Sequence, residues 1–166
     1  GKTRLALAAA TDLLAAYPGG VWLVELAALA DPALVPRAIA GALGLREEVS
    51  RPLLDSTIAR LGEQATLLVL DNCEHLRDAC ADLAAQLLAA CPRLRLLATS
   101  RAALGLPGEV VWRVPSLGVP RNQVAVTPSR ALADLAAVPA VRLFLERVRQ
   151  RQPAFALTTG NAGPIA

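Results

Sequence analysis

Leu67-Leu68-Val69-Leu70-Asp71-Asn72 sets four large apolar residues in a row and closes on a carboxylate. Such an unbroken run predicts a strand buried on both faces, as in a parallel sheet covered by helices; a strand with one wet face would alternate. An acid at the carboxyl end of such a strand lies where open α/β sheets bind their ligands. Two further short apolar runs, Val21 to Leu26 and Leu94 to Ala98, flank this one in the chain. Val110 to Val114, with Trp112, makes a fourth candidate strand.

Helical patterns fill the intervals. Leu5, Ala8, Ala9, Leu13 and Ala16 recur at helical spacing until Pro18-Gly19-Gly20 stops them. Asp31-Pro32 is a helix entry, with Asp as N-cap and Pro in the first turn, and Gly44 is its stop. Pro36 leaves the start open, because it removes a backbone donor. A short helix is expected over Pro52 to Leu61. After Asp71, residues Cys73, Leu76, Cys80, Leu83 and Leu87 repeat at steps of three and four, which puts both cysteines on a packed face. Pro115 to Thr127 lacks periodicity and reads as a linker. From Val138 a new helix begins, with Val141, Phe144, Leu145 and Val148 on one face and Arg142, Glu146 and Arg149 on the other. The expected division is a core at 1–116, a linker or loop at 117–137 and the start of a helical subdomain at 138–166.

The chain has 166 residues, 54% of them hydrophobic, enough for one domain's core. Charged residues interrupt every long apolar stretch, so no membrane partner is expected. Asp12 breaks the one segment resembling a signal peptide. Met is absent, as expected of an internal piece of a longer protein. The net charge is +3 and Lys2 is the one lysine, so arginine supplies 16 of the 17 basic residues. That mild excess does not demand nucleic acid. The arginines after Val138 have no aromatic residue interleaved with them, which favours a solvated helix face over a nucleic-acid patch. Cys73, Cys80 and Cys91 are odd in number and lack metal spacing. Buried thiols in a reducing cytoplasm are the simplest expectation.

Gly1-Lys2-Thr3, directly ahead of a helix, matches the end of the phosphate-cradling motif G-x-x-x-x-G-K-[ST]. That tripeptide says little alone. Joined to a buried strand ending in Asp71 and a later strand ending in Thr99-Ser100-Arg101, it points to a nucleotide site. Gly1, Lys2, Thr3, Asp71, Thr99 and Arg101 are then the candidate ATP/ADP-binding residues. Lys2 would meet the β- and γ-phosphates, and Thr3 and Asp71 would hold Mg²⁺. Thr99 and Arg101 would sense the γ-phosphate, since a guanidinium can pair with two phosphate oxygens. The plainer alternative for Arg101 is a solvated loop residue. Asn72 stands where several P-loop ATPases carry a second carboxylate, and an amide cannot take a proton at neutral pH. Glu74 is the nearest candidate base, with Arg101 the other catalytic candidate; the equal alternative for Glu74 is simply to favour the next helix's N-terminus. Hydrolysis is expected to be slow or absent. His75, with no second ligand spaced for a metal, is expected at a surface or cap.

With those residues in view, the chain resembles the STAND-class, NB-ARC-like P-loop ATPase domain of large bacterial transcriptional regulators. The likeness is carried by Gly1-Lys2-Thr3-Arg4-Leu5-Ala6, by Leu67 to His75 (LLVLDNCEH), by Leu96-Leu97-Ala98-Thr99-Ser100-Arg101 and by Ala140-Val141-Arg142-Leu143-Phe144. It spans about residues 1–157 and is weak over 117–137. The resemblance implies an α/β fold of three layers with a mainly parallel sheet, its first strand missing from this chain, followed by the start of a helical lid. It implies an on/off state set by ATP or ADP, DNA contact only through another domain of the full-length protein, and self-association when ATP is bound. Two other classes stay open: a metabolic P-loop ATPase or kinase, and a non-catalytic Ala/Leu-rich interaction domain.

Overall fold

A computed structural model describes residues 1–47, 51–120 and 128–166, the side chains of 128–130 excepted. The chain divides into two compact units, Gly1–Val114 and Pro115–Ala166. Unit one is a three-layer α/β structure. Strands β1 (Val21–Glu25), β2 (Thr66–Asp71) and β3 (Leu94–Ala98) form a parallel sheet in the order β1-β2-β3. Leu23 pairs with Val69 and Val69 with Leu97, so β2 is central and every one of its residues is buried. Burying each of its large apolar side chains contributes about 1.5–3 kcal/mol. The strand anchors the unit.

Alternation along β2 sorts the two covering layers. Leu68 and Leu70 point into the larger core, with helices α2 (Val35–Ala42), α3 (Leu53–Leu61) and α4 (Arg77–Ala90). Cys73, Leu76, Cys80, Leu83 and Leu87 are all buried there, as their spacing predicts, and the three cysteines are free thiols. Leu67 and Val69 face the other way, against Ala6 and Ala10 of α1 (Lys2–Asp12). Small alanines let that helix lie close to the sheet.

Local chemistry sets the element ends. Asp31 caps the second helical segment by accepting from the Ala33 N–H at 2.9 Å; one 3₁₀ turn, Pro32–Leu34, precedes α2, which places Pro36 harmlessly near its start. Gly19 lies so close to the chain before β2 that a Cβ there would collide with the Thr66 side chain. Its N–H donates to the Ala65 carbonyl at 2.9 Å.

Two expectations need correction. Val110–Val114 is not a strand: Val110 is 91% exposed and Trp112 70%. A strand needs a neighbour for its backbone groups, and among the described residues β3 pairs with β2 alone. The interval 117–137 is not wholly loop, since α5 spans Pro128–Ala137. Pro fits the first turn of a helix, and Ala and Leu sustain it. Residues 121–127 of that expected linker lie outside the described residues.

Unit two adds α6 (Pro139–Arg151) and α7 (Thr159–Ile165). Val141 and Leu145 are buried, and Phe144 meets Phe155 edge to face at 6.2 Å. Helix α7, not anticipated from the sequence, starts with a capping box between Thr158 and Asn161. No helix among the described residues is long and apolar enough to cross a membrane.

Candidate functional site

Asp71 ends the central strand with only 9% of its surface exposed. Because α1 packs along the Leu67 and Val69 face, its first turn arrives at this carboxylate. The Thr3 hydroxyl donates to Asp71 Oδ1 at 2.8 Å and lies 3.2 Å from Oδ2. Residues 68 positions apart are thereby joined. Thr99, just past β3, donates to the same Oδ1 at 2.5 Å. Its own Oγ1 accepts from the Asn72 N–H at 2.9 Å. The backbone continues the ladder: Thr99 N–H donates to Leu70 O and Cys73 N–H to Thr99 O, both at 2.9 Å.

Asn72 adopts the left-handed conformation, φ 70° and ψ 48°. Non-glycine residues rarely do so, and Asn is among those that tolerate it best. The turn ends the strand at Asp71 and starts the 3₁₀ segment Cys73–His75. His75 Nε2 lies 2.7 Å from Leu29 O, which ties this segment to the loop after β1. Glu25 stands opposite Asp71 in the ladder and is exposed.

Glu74 and Arg101 form an ion pair, Nε to Oε1 3.1 Å. Lys2 and Gly1 are exposed at the head of α1. Thr3, Asp71 and Thr99 are therefore directly joined, Glu74 and Arg101 pair with each other, and Gly1 and Lys2 flank Thr3. The Asn72 turn and the double role of the Thr99 hydroxyl were missed in the sequence. An Asn directly after a strand-ending acid was the one available signal for the turn.

Two neighbouring groups have shifted acidity. The Cys73 thiol is pushed up by the neighbouring Cys80 thiol, by burial and by the charges of Asp71 and Glu74, so it stays protonated. Beyond Arg101, the Glu109 carboxylate accepts backbone N–H bonds from Leu104 at 3.0 Å, Gly105 at 2.7 Å and Leu106 at 3.3 Å. Those bonds, Leu104's foremost, hold it below the usual carboxylate range.

The donor set suits a hard divalent ion that brings its own ligands. Adjacent oxygens around Mg²⁺ are about 3 Å apart when each lies at about 2.1 Å. The 2.8 Å between Thr3 Oγ1 and an Asp71 oxygen is close to that edge. Among the described residues no group of three His, Cys, Asp or Glu side chains could form a dedicated metal cage. One carboxylate and one hydroxyl match the usual Mg²⁺ mode, in which substrate phosphates and waters complete the shell.

Comparison with known proteins bears on the chain's setting. It is 39% identical over 167 aligned positions to "Putative HTH-type transcriptional regulator Rv0890c" of Mycobacterium tuberculosis, covering 99% of this chain and 17% of that protein. A Mycobacterium bovis protein of the same description matches equally. "Uncharacterized protein Rv0894" of M. tuberculosis is 35% identical over 162 positions, 98% of this chain and 37% of that protein. The chain thus spans about one sixth to just over one third of the relatives it matches. No protein-family model matches it. No solved structure does so either.

Proposed function

We propose that this chain is the ATP/ADP-binding switch module of a bacterial transcriptional regulator, with Mg²⁺ as companion ion and slow or no hydrolysis. The observation that carries this proposal is the Thr3–Asp71 hydrogen bond. It unites a helix-start hydroxyl next to Lys2 with the acid of a central parallel strand. Lys2 supplies a mobile charge for the β- and γ-phosphates, and exposed N–H groups at the start of α1 favour an anion. Thr3 and Asp71 hold the ion, which neutralises phosphate charge when bound. Thr99 fixes the Asp71 carboxylate, and Arg101 reads the γ-phosphate. Asn72 brings an amide to the place after the acid, and Glu74, the nearest carboxylate after it, is paired with Arg101. Slow turnover suits a switch.

The regulator setting follows from the names of the mycobacterial relatives. DNA contact is assigned to another part of the full-length protein, and self-association to its ATP-bound form. Calorimetric titration of the full-length protein with MgATP tests the nucleotide site. Lys2→Ala is expected to weaken binding about ten- to a hundredfold, the worth of a charged contact of about 1.5–3 kcal/mol. Equal affinity in that variant would remove the phosphate assignment.

A further inference from the structure

Arg101 and Glu74 leave each other incompletely satisfied. Arg101 Nε sits 3.1 Å from Glu74 Oε1, yet the arginine side chain is 82% exposed and the glutamate 21%. Glu74 Oε2 is buried without a hydrogen-bond partner among the described residues. A guanidinium has five N–H donors arranged to grip two oxygens at once, and here one nitrogen meets one oxygen. The halves of this pair sit on the two strand exits that build the site. Glu74 lies three residues after Asp71, and Arg101 two residues after Thr99. The Cys73–Thr99 backbone bond ties those exits together.

We propose that the Glu74–Arg101 pair is a latch that sets the preference for triphosphate over diphosphate, an inference resting on the nucleotide site above. While Glu74 holds Nε, Arg101 cannot turn its two-nitrogen Nε–Nη edge to a γ-phosphate. With the latch closed, the γ-phosphate lacks that two-point grip, and ATP affinity falls toward the fraction of time the edge is free. ADP carries no γ-phosphate and does not feel the latch. An ion pair exposed on its arginine side is weak, worth up to about fivefold in an equilibrium, so a triphosphate can displace it. Glu74 thereby acts through Arg101 as a positioning residue.

The test compares MgATP and MgADP affinities in the full-length protein. Glu74→Gln is expected to raise the ATP-over-ADP preference about two- to fivefold, through ATP alone. Arg101→Ala lowers that preference, and Glu74→Gln adds nothing in its background. Glu74→Asp, which draws the carboxylate back by one methylene, shifts the preference in the same direction and serves if Glu74→Gln does not fold. An unchanged or lowered preference in the glutamate variants overturns the latch, as does a gain that persists without Arg101. MgADP binding by the wild type separates the two readings: with it, the site stands whatever the latch does. Without binding of either nucleotide, both fall.

Discussion

Thr99 is the residue on which the strand ends converge. It is 6% exposed, donates to Asp71 and accepts from the Asn72 backbone. Thr99→Val keeps the shape and removes both bonds, which leaves a buried N–H without its acceptor. A loss of about 1–3 kcal/mol is expected in urea unfolding of the full-length protein. Thr99→Ser, which retains the hydroxyl, should stay within about 1 kcal/mol of the wild type. Equal stability of the Val and Ser variants would show that the network is not what holds this corner. The sequence marked Thr99 as a candidate γ-phosphate sensor but not its bonds to Asp71 and Asn72, because a hydroxyl's partner 27 positions away leaves no trace in local spacing.

Among the elements, those decided by their own residues were legible. The apolar run of β2 and the three- and four-residue steps of α4 are dictated locally; β2 occurs where the pattern puts it, and α4 carries Cys80, Leu83 and Leu87, while Cys73 sits in the 3₁₀ turn before it. Val110–Val114 was not, because β-rich composition cannot supply a neighbouring strand. Helix α7 was hidden by Thr, Gly and Pro residues that break periodicity, and α5 by its shortness, with only Leu132 and Leu135 as large apolar residues. The Glu74–Arg101 pair joins two loops and has no sequence pattern at all. The loop after Arg101 has a pH signature of its own. Glu109 is held below its ordinary value by N–H bonds present only in the folded loop. Its stabilising effect is complete above the unfolded value of about 4.3 and is lost as pH falls through the depressed folded value. Carboxyl NMR should show Glu109 titrating below other exposed glutamates, with the Leu104–Leu106 amide shifts moving in step. Titration alongside ordinary glutamates would mean that the clamp does not persist in solution.

At the scale of the whole molecule, a parallel sheet brings the ends of β2 and β3 to one rim, and α1 delivers Thr3 to it. Among the described residues there is no dedicated metal cage, and in the proposed reading this rim is where an ion arriving with phosphates would be held. The relatives it matches are longer: the chain spans 17% of one and 37% of another. The Mg²⁺ dependence of ATP binding tests the arrangement most directly. Titrated with and without Mg²⁺, the full-length wild type should bind ATP severalfold more tightly when the ion is present. Asp71→Asn still accepts the Thr3 and Thr99 hydroxyls but loses the charge that draws the cation. It should keep its ion-free affinity and lose the gain. An Asp71→Asn protein whose ATP affinity rises with Mg²⁺ as much as the wild type's would contradict the placement of the ion between Thr3 and Asp71.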